Sequence, residues 1–431
     1  MPELRKKRAE VGTCVELFAG GGGLAMGVHQ AGFRPLLVNE YAKRAVETLA
    51  SNPLPGGGSW PLVPGDVRDL DAEFKMLAGQ VDVLAGGPPC QPFSLGGAHK
   101  GTEDERNMFP QMFRAIQEMR PKAVICENVR GLLRKSFAPY FQYILNEMRL
   151  PFVEREPGAT WEEHNELLEK LLANDSVPPS ERYIVQHHPV NAADYGVPQI
   201  RQRVIIVAFR SDLGVDWDSF TPKPTHSEEA LIHSMREGGE YWKLHDEVEA
   251  APRSRAIANV SKLNYDSAKV KEALTLQPWR TLRDAIRGVD EFEGIALPFV
   301  DEDAVRTKAQ VGKISDHFGW PGARMYTGHT PNLLDRPAKT VKAGVHGVPG
   351  GESVMMMDDP EYDGSGYRYM TVRETARVMT FPDTWTLAGP RGEKMRQLGN
   401  AVPVKLAKVF ADAVAAALNS VAPLSAPDEE R

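Results

Sequence analysis

The chain has 431 residues, enough for two to three domains of about 150 residues each. Hydrophobic residues make up 42% and charged residues 25%, which excludes a largely disordered or collagen-like chain. Apolar stretches such as 409–418 are far shorter than the ~20 residues that cross a bilayer, and the N-terminus is charged. We therefore expect a soluble, cytoplasmic protein. The net charge of −7 gives no overall sign of nucleic-acid binding, which must be argued from local features.

Three cysteines, Cys14, Cys90 and Cys126, are too few for a disulfide framework in a chain of this length. They form no CxxC pair, so no structural zinc site is expected. Each cysteine is therefore interpreted as a buried hydrophobic residue or a reactive thiol.

The first 210 residues alternate between strand and helix patterns, which is typical of a parallel α/β sheet. The predicted strands are residues 14–18, 35–39, 61–63, 81–85, 123–126 and 203–209. The predicted helices are residues 24–30, 42–50 and 108–119. Residues 151–180 are predicted to be a helical insertion, with 161–172 as its most helical part.

From residue 211 to residue 369 this alternation stops, and proline and glycine recur. Helices are predicted again at 371–379, opened by a threonine cap, and at 405–418. We therefore expect one domain from residues 1–210 and 370–431, and a smaller irregular domain from residues 211–369.

A glycine run, Gly20–Gly23, follows the first predicted strand and opens a helix. Glycines allow a ligand to approach the backbone closely, and a helix N-terminus offers unpaired N–H groups. Glu40 follows Phe18 by 22 residues, at the tip of the next strand. A carboxylate there can accept hydrogen bonds from both hydroxyls of a ribose. The pattern favours nucleoside binding over a strand–turn without a ligand. Asp66, after the third strand, is interpreted as a contact to an adenine amino group or as a turn residue.

Two prolines, Pro88 and Pro89, form a rigid turn at the end of the fourth strand and precede Cys90. Open α/β sheets bind ligands at this edge, and helix N-termini there favour a thiolate. Cys90 is therefore predicted to be a nucleophile, with a half-buried structural cysteine as the alternative.

Glu127 follows the fifth predicted strand. An apolar crevice there can keep a carboxyl group protonated, and the protonated group can act as a proton donor. A capping or ion-paired glutamate is the alternative. Arg201 and Arg203 alternate at the start of the last strand and are predicted to share one face that suits a carboxylate or phosphate. A solvated strand edge is the alternative for this pair.

The order of these motifs carries more information than any one of them. Phe-Ala-Gly-Gly-Gly, Asn-Glu-Tyr, Gly-Pro-Pro-Cys-Gln, Glu-Asn-Val and Gln-x-Arg-x-Arg are followed by Gly-Asn-Ala-Val at 399–402. Over residues 1–210 and 370–410 the chain resembles the DNA (cytosine-5) methyltransferase family, particularly its bacterial restriction–modification members. The resemblance implies a Rossmann-like, mostly parallel sheet that binds S-adenosylmethionine. It also implies a smaller target-recognition domain, with DNA in the cleft between the two.

The resemblance also implies roles for individual residues. Cys90 is similar to the family's nucleophile, Glu127 to its general acid and Arg203 to its substrate-orienting arginine. The resemblance implies cofactor contacts at eleven positions: Phe18, Ala19, Gly20, Gly22, Glu40, Tyr41, Asp66, Val67, Pro88, Asn400 and Val402. The positions that imply substrate contacts are Gln91, Ser94, Arg201 and Thr340. The chain departs from the family in the long 151–180 insertion, and in Tyr41, where some members carry tryptophan.

The implied reaction transfers a methyl group from S-adenosylmethionine to carbon 5 of a flipped-out cytosine, through a covalent Cys90 adduct. Residues 94–107 are predicted to close over the base. The implied partner is double-stranded DNA, contacted by basic runs at 253–287 and 306–346. We expect a monomer that protects host DNA without metal, membrane or a stable endonuclease complex. The alternatives are an RNA cytosine methyltransferase, a non-catalytic DNA-binding relative, and a nicotinamide-dependent oxidoreductase, which would explain neither the Pro-Pro-Cys turn nor Asn400.

Overall fold

The computed structural model describes residues 10–89, 107–258, 260–288, 296–325, 327–328, 330–343 and 353–421. The chain divides into two compact units. The first, here the sheet unit, consists of Arg5–Val190, Arg203–Pro222 and Ala407–Arg431. The second unit consists of Met1–Leu4, Asn191–Gln202 and Lys223–Leu406.

The unit boundaries differ from the predicted domain boundaries at 210 and 370. Residues 191–202 and 370–406 lie with the second unit. The Arg201 guanidinium gives a physical reason, because it donates to the carbonyls of Val341, Gly399 and Ala401 within that unit. Hydrogen bonds between distant chain segments therefore override the change in sequence pattern at residue 370.

The sheet unit is built on a seven-stranded sheet. Its strands are β1 (Gly12–Leu17), β2 (Phe33–Glu40), β3 (Leu62–Pro64), β4 (Val83–Gly86), β5 (Ala123–Val129), β6 (Tyr183–Asn191) and β7 (Gln202–Arg210). Their order is β3-β2-β1-β4-β5-β7-β6. Strands β1 to β5 pair in parallel, whereas β7 runs antiparallel to β5. The predicted mostly parallel α/β sheet is confirmed; β6 was not predicted.

The central strands are apolar on both faces, as expected for a parallel sheet covered on both sides. On one face Val15, Leu84 and Val124 are fully buried, and on the other face Val83, Ala85 and Val207 are buried. This explains why short apolar runs in the sequence located these strands.

In the described part of this unit, six helices precede β6 in the chain. They are α1 (Gly23–Gln30), α2 (Lys43–Ser51), α3 (Asp71–Met76), α4 (Phe109–Met119), α5 (Ala138–Arg149) and α6 (Trp161–Asn174). The α6 helix confirms the helix predicted in the insertion, and a capping box between Thr160 and Glu163 starts it.

The described residues of the second unit form short elements, as the broken periodicity predicts. Its helices are α7 (Glu228–Ser234), α8 (Glu240–Leu244), α9 (Ala250–Ile257), α10 (Ala268–Ala273), α11 (Leu282–Arg287), α12 (Glu302–Thr307), α13 (Val372–Val378) and α14 (Arg391–Asn400). Its strands are β8 (His226–Ser227), β9 (Gln277–Pro278), β10 (Asn332–Leu333), β11 (Val354–Met356) and β12 (Tyr367–Tyr369). Thr371 caps α13 in a capping box, as its sequence indicates.

The last helix, α15 (Val404–Ser420), returns the chain to the sheet unit from Ala407 onward. Its Phe410 ring lies 5.9 Å from the ring of His188 in β6. Within the described part of the chain, no helix combines the length and apolar character needed to span a membrane.

Candidate active site

The glycine loop begins where β1 ends. Phe18 and Gly20 have left-handed backbones, with φ of 59° and 56°, and Gly22 caps α1 with φ of 88°. Among the described residues, none has an atom within 4 Å of the position that a side chain on Gly20 would occupy. The N–H of Ala19 donates to the Asn39 carbonyl in β2, at 3.1 Å. The chain thus turns sharply beside an open space and stays attached to the neighbouring strand.

Glu40, the last residue of β2, lies against this loop. Its Oε2 accepts a hydrogen bond from the N–H of Gly20, and its Oε1 one from the N–H of Ala42, both at 2.6 Å. Each carboxylate oxygen keeps a second lone pair for another donor. Next to it, the Tyr41 ring is 76% exposed, which is unusual for an aromatic side chain. Glu40 and Gly20 therefore form one side of an open, polar recess with an aromatic ring beside it.

Asp66 follows β3, which is tied to the end of β2 by a hydrogen bond from the N–H of Gly65 to the Glu40 carbonyl. Arg68 donates to both carboxylate oxygens of Asp66, and these bonds lower its pKa. Val67 is buried, and the Arg114 guanidinium donates to its carbonyl at 2.6 Å. The structure places the predicted adenine contacts after the strand next to Glu40.

The proline turn is held from two sides. The Asn128 amide donates to the Pro88 carbonyl at 3.1 Å, and the N–H of Met108 donates to the Pro89 carbonyl at 3.3 Å. Cys90, Gln91 and Ser94 lie outside the described residues, as does residue range 94–106 of the predicted closing loop. The structure therefore defines the turn from which the Cys90 segment starts.

Glu127 and Arg203 form an ion pair at the same edge of the sheet. The antiparallel register sets Glu127 opposite Ile205 and Val129 opposite Arg203, so the two charged side chains are diagonal neighbours on one face. Nε of Arg203 lies 2.8 Å from Oε1 of Glu127. A side-chain atom on Gly87 would lie 3.6 Å from the other Glu127 oxygen, which places this carboxylate beside the proline turn.

Glu16 was not predicted as a site residue. It lies in β1, two residues before Phe18, and is 3% exposed. Burial raises its pKa well above the usual range, and the charge of Glu40 raises it further. The N–H of Ala25 opposes this shift, yet neither Glu16 oxygen makes a well-directed hydrogen bond to the described residues. Its sequence signal is an acidic residue inside an apolar strand directly before a glycine loop.

The other predicted site residues belong to the second unit. Arg201 is 1% exposed and donates to three backbone carbonyls, and the Thr340 hydroxyl donates to the Ile200 carbonyl at 2.8 Å. Asn400 is exposed at the end of α14, and Val402 is buried. Arg201 precedes β7 and donates to backbone carbonyls of the second unit, whereas Arg203 lies in β7 and pairs with Glu127.

Two of the three cysteines are structural in character. Cys14 and Cys126 are buried, and burial raises the pKa of the Cys14 thiol. Both therefore behave as hydrophobic core residues rather than as reactive thiols. Among the residues that the structure describes, no group of three or more histidine, cysteine or acidic side chains is arranged to hold a metal ion.

A mostly parallel sheet, a glycine loop facing a strand-end carboxylate and an acidic–basic pair two strands away define an α/β methyltransferase. Residues 12–150 and 163–416 match the model of the family described as C-5 cytosine-specific DNA methylase, and the chain belongs to this family. The resemblance inferred from the motifs, including its bacterial restriction–modification type, is confirmed. The protein is a DNA (cytosine-5-)-methyltransferase, so the oxidoreductase alternative is excluded.

Similar proteins span nearly the whole chain. The Type II methyltransferase M.Eco47II of Escherichia coli is 30% identical over 97% of this chain and 82% of its own length. The Type II methyltransferase M.PspPI of Psychrobacter is 30% identical over 95% of this chain and 80% of its own length. A crystal structure of a DNMT2 variant from Spodoptera frugiperda shares the fold, with a TM-score of 0.52, 16% identity and coverage of 94% of this chain and 99% of that one.

Proposed function

We propose that this enzyme transfers a methyl group from S-adenosylmethionine to carbon 5 of a cytosine flipped out of a specific double-stranded DNA sequence. The observation that supports this most strongly is the Glu127–Arg203 ion pair beside the turn that leads to Cys90. A nucleophile next to a paired acid and cation is what the chemistry of cytosine carbon 5 needs.

The recess beside β1 fits the proposed cofactor. Glu40 has lone pairs for ribose hydroxyls, the space at Gly20 is open, and the exposed Tyr41 ring can cover an adenine face. Asp66, oriented by Arg68, can accept a hydrogen bond from the adenine amino group. When bound, S-adenosylmethionine supplies an electrophilic methyl group on sulfur. Further contacts are proposed from the sequence motifs for Ala19, Val67, Pro88, Asn400 and Val402.

Carbon 5 of cytosine is a weak nucleophile and needs activation. In the proposed mechanism the Cys90 thiolate adds to carbon 6, which forms a carbon–sulfur bond and makes carbon 5 electron-rich. Carbon 5 then forms a bond to the methyl carbon while the methyl–sulfur bond breaks, and S-adenosylhomocysteine is the leaving group. A base finally removes the proton from carbon 5, and the thiolate leaves carbon 6. The ring is then aromatic again and the cysteine is regenerated.

Glu127 and Arg203 act on the cytosine ring during this addition. In the proposed reaction Glu127 takes part as the carboxylic acid: it donates its proton to ring nitrogen 3 as the thiolate adds and takes the proton back as the thiolate leaves. We assign to Arg203 a hydrogen bond to the carbonyl oxygen of the base. The contact between Arg203 and Glu127 holds both side chains in one orientation. Because a stacked base cannot reach these groups, the cytosine must leave the helix.

Target recognition is assigned to the irregular region 211–369, whose basic runs would contact phosphates. Gln91, Ser94 and Thr340 are proposed to contact the DNA on the strength of the motifs, whereas Arg201 is proposed to hold backbone segments in place. The proposed biological role is protection of host DNA in a restriction–modification system. Bisulfite sequencing of plasmid DNA from cells that express the protein would show a fixed sequence context of methylated cytosines, whereas unmethylated DNA would contradict the proposal.

The covalent step is tested with duplex DNA that carries 5-fluorocytosine at the target. Fluorine cannot leave as the carbon 5 proton does, so a denaturant-resistant adduct should accumulate only when S-adenosylmethionine is present. Its peptide should contain Cys90, and Cys90→Ser should form no adduct while still binding the cofactor. An adduct at Cys14 or Cys126 would overturn the nucleophile assignment. Preferential trapping on RNA would overturn the DNA assignment.

A further inference from the structure

The insertion around α6 is attached to the proline turn through a series of side chains. Residues 151–162 lie outside the two stretches that match the family model, and they include Trp161. The Trp161 ring packs edge-on against Tyr140 of α5, with ring centroids 5.3 Å apart and planes at 88°. The Trp161 ring also lies 5.6 Å from that of Tyr143, so the insertion contacts two buried tyrosines of the sheet unit.

Tyr140 links this contact to the turn. Its hydroxyl accepts a hydrogen bond from the Asn107 amide, at 2.5 Å, and both side chains are buried. Asn107 also accepts from the N–H of Phe109 at the start of α4. Its neighbour Met108 donates its N–H to the carbonyl of Pro89, the residue directly before Cys90. An aromatic contact and two hydrogen bonds therefore connect Trp161 to the base of the Cys90 segment.

The interface between α5 and α6 is itself polar and specific. Within α5, the Tyr143 hydroxyl donates a hydrogen bond to the Glu147 carboxylate. Nδ1 of His164 in α6 lies 3.2 Å from the same carboxylate. The Asn146 amide donates to Asn165 at 2.9 Å. Buried polar contacts of this kind allow one relative placement of two helices, because a shifted placement would leave polar groups unpaired. The insertion is therefore held in a defined position against α5.

We propose that Tyr140 and Trp161 are positioning residues that set the placement of the Pro88–Pro89 turn, and with it the rate of the Cys90 addition step. The inference rests on the proposed function, since it assigns the affected step to Cys90. Tyr140 acts through Asn107 and Met108, and Trp161 acts through Tyr140. Small displacements of a reacting group have large effects on rate, whereas ground-state binding at the cofactor recess and the recognition region is made by other residues.

The test measures kcat, both KM values, the rate of adduct formation on 5-fluorocytosine DNA and thermal stability. Tyr140→Phe removes one hydroxyl and keeps the ring. We expect kcat and the adduct rate to fall about tenfold, with KM for S-adenosylmethionine and for DNA unchanged within about twofold. Trp161→Ala should reproduce this effect and Trp161→Phe should largely restore the rate. The double variant Tyr140→Phe with Trp161→Ala should be no slower than either single one.

Tyr183→Phe is the matched control. Tyr183 is also buried in the sheet unit, and its hydroxyl donates to the Pro121 carbonyl at 2.7 Å, with no hydrogen bond to the proline turn. It should lose thermal stability like Tyr140→Phe but keep kcat. An unchanged kcat in Tyr140→Phe, or an equal fall in Tyr183→Phe, would overturn the inference. Failure of the wild-type enzyme to form the Cys90 adduct would instead contradict the proposed function.

Discussion

Two buried glutamates on one face of the same sheet have very different surroundings. The register sets Glu16 of β1 level with Ile125 of β5 through Ala85 of β4, so Glu127 stands two residues further toward the carboxyl edge on that face. Glu127 is 8% exposed and has the Arg203 guanidinium beside it. Glu16 is more deeply buried, and the charge of another carboxylate, Glu40, helps to raise its pKa. Two glutamates on one face of the sheet thus have neighbours of opposite charge: an arginine beside Glu127 and another glutamate near Glu16.

The neighbouring strands explain this difference. On either side of Glu16, β2 and β4 bring Val38 and Ala85 level with it, and neither side chain can pair with a carboxylate. On one side of β5 runs β7, which is antiparallel and brings its first arginine to the level of Val129. One reversed strand therefore gives this end of the sheet a fixed cation, which a developing charge on a substrate can use.

Arg203→Met is expected to have the largest effect. It removes the guanidinium beside Glu127 and so removes the main difference between the surroundings of the two glutamates. Loss of a preorganised charged donor should lower kcat by about 10²–10³-fold. The measurement is transfer of labelled methyl groups to duplex DNA at saturating S-adenosylmethionine. Arg210→Met, at the other end of the same strand, is the control and should keep its rate. A loss below fivefold in Arg203→Met would contradict the assignment of this residue.

Glu40→Gln tests the carboxylate at the end of β2, whose charge acts on Glu16. An amide cannot accept from both Gly20 and Ala42 without turning its own N–H₂ toward one of these donors. We expect KM for S-adenosylmethionine to rise about tenfold, in the range of a lost charged hydrogen bond, with a smaller change in kcat. Steady-state kinetics and calorimetric titration of the cofactor would measure it. Glu47→Gln, on the exposed face of α2, should leave KM unchanged, and an equal rise there would remove the role of Glu40.

Glu16→Gln has the smallest expected effect and sharpens the comparison through pH. Because the folded pKa of Glu16 is raised, its stabilising contribution is complete below the unfolded value of about 4.3 and is lost as the pH rises toward the folded pKa. The wild-type free energy of unfolding should therefore fall relative to that of Glu16→Gln as the pH rises above the unfolded value of about 4.3. Urea unfolding at several pH values measures this difference, and parallel curves for the two proteins would contradict it.

The sequence by itself determined the strand ends and the order of the motifs. Short apolar runs that stop at glycine, proline or a charged residue are local features, so Glu40, Pro88 and Glu127 could be assigned to strand ends without knowledge of packing. The helix in the insertion and the Thr371 cap were equally local. Strand β6 was missed because its alternation includes Gln186 and histidines, which do not resemble an apolar run.

Only the tertiary structure decided which residues meet. The spacing of Arg201 and Arg203 suggested a common face, but the chain passes from the second unit to the sheet unit between them. Arg201 is then buried on backbone carbonyls, while the antiparallel register of β7 brings Arg203 to Glu127. Likewise, no local pattern shows that the charge of Glu40 acts on Glu16 or that Trp161 reaches Tyr140. Strand order, strand direction and long-range burial decide these contacts, because they depend on segments far apart in the chain.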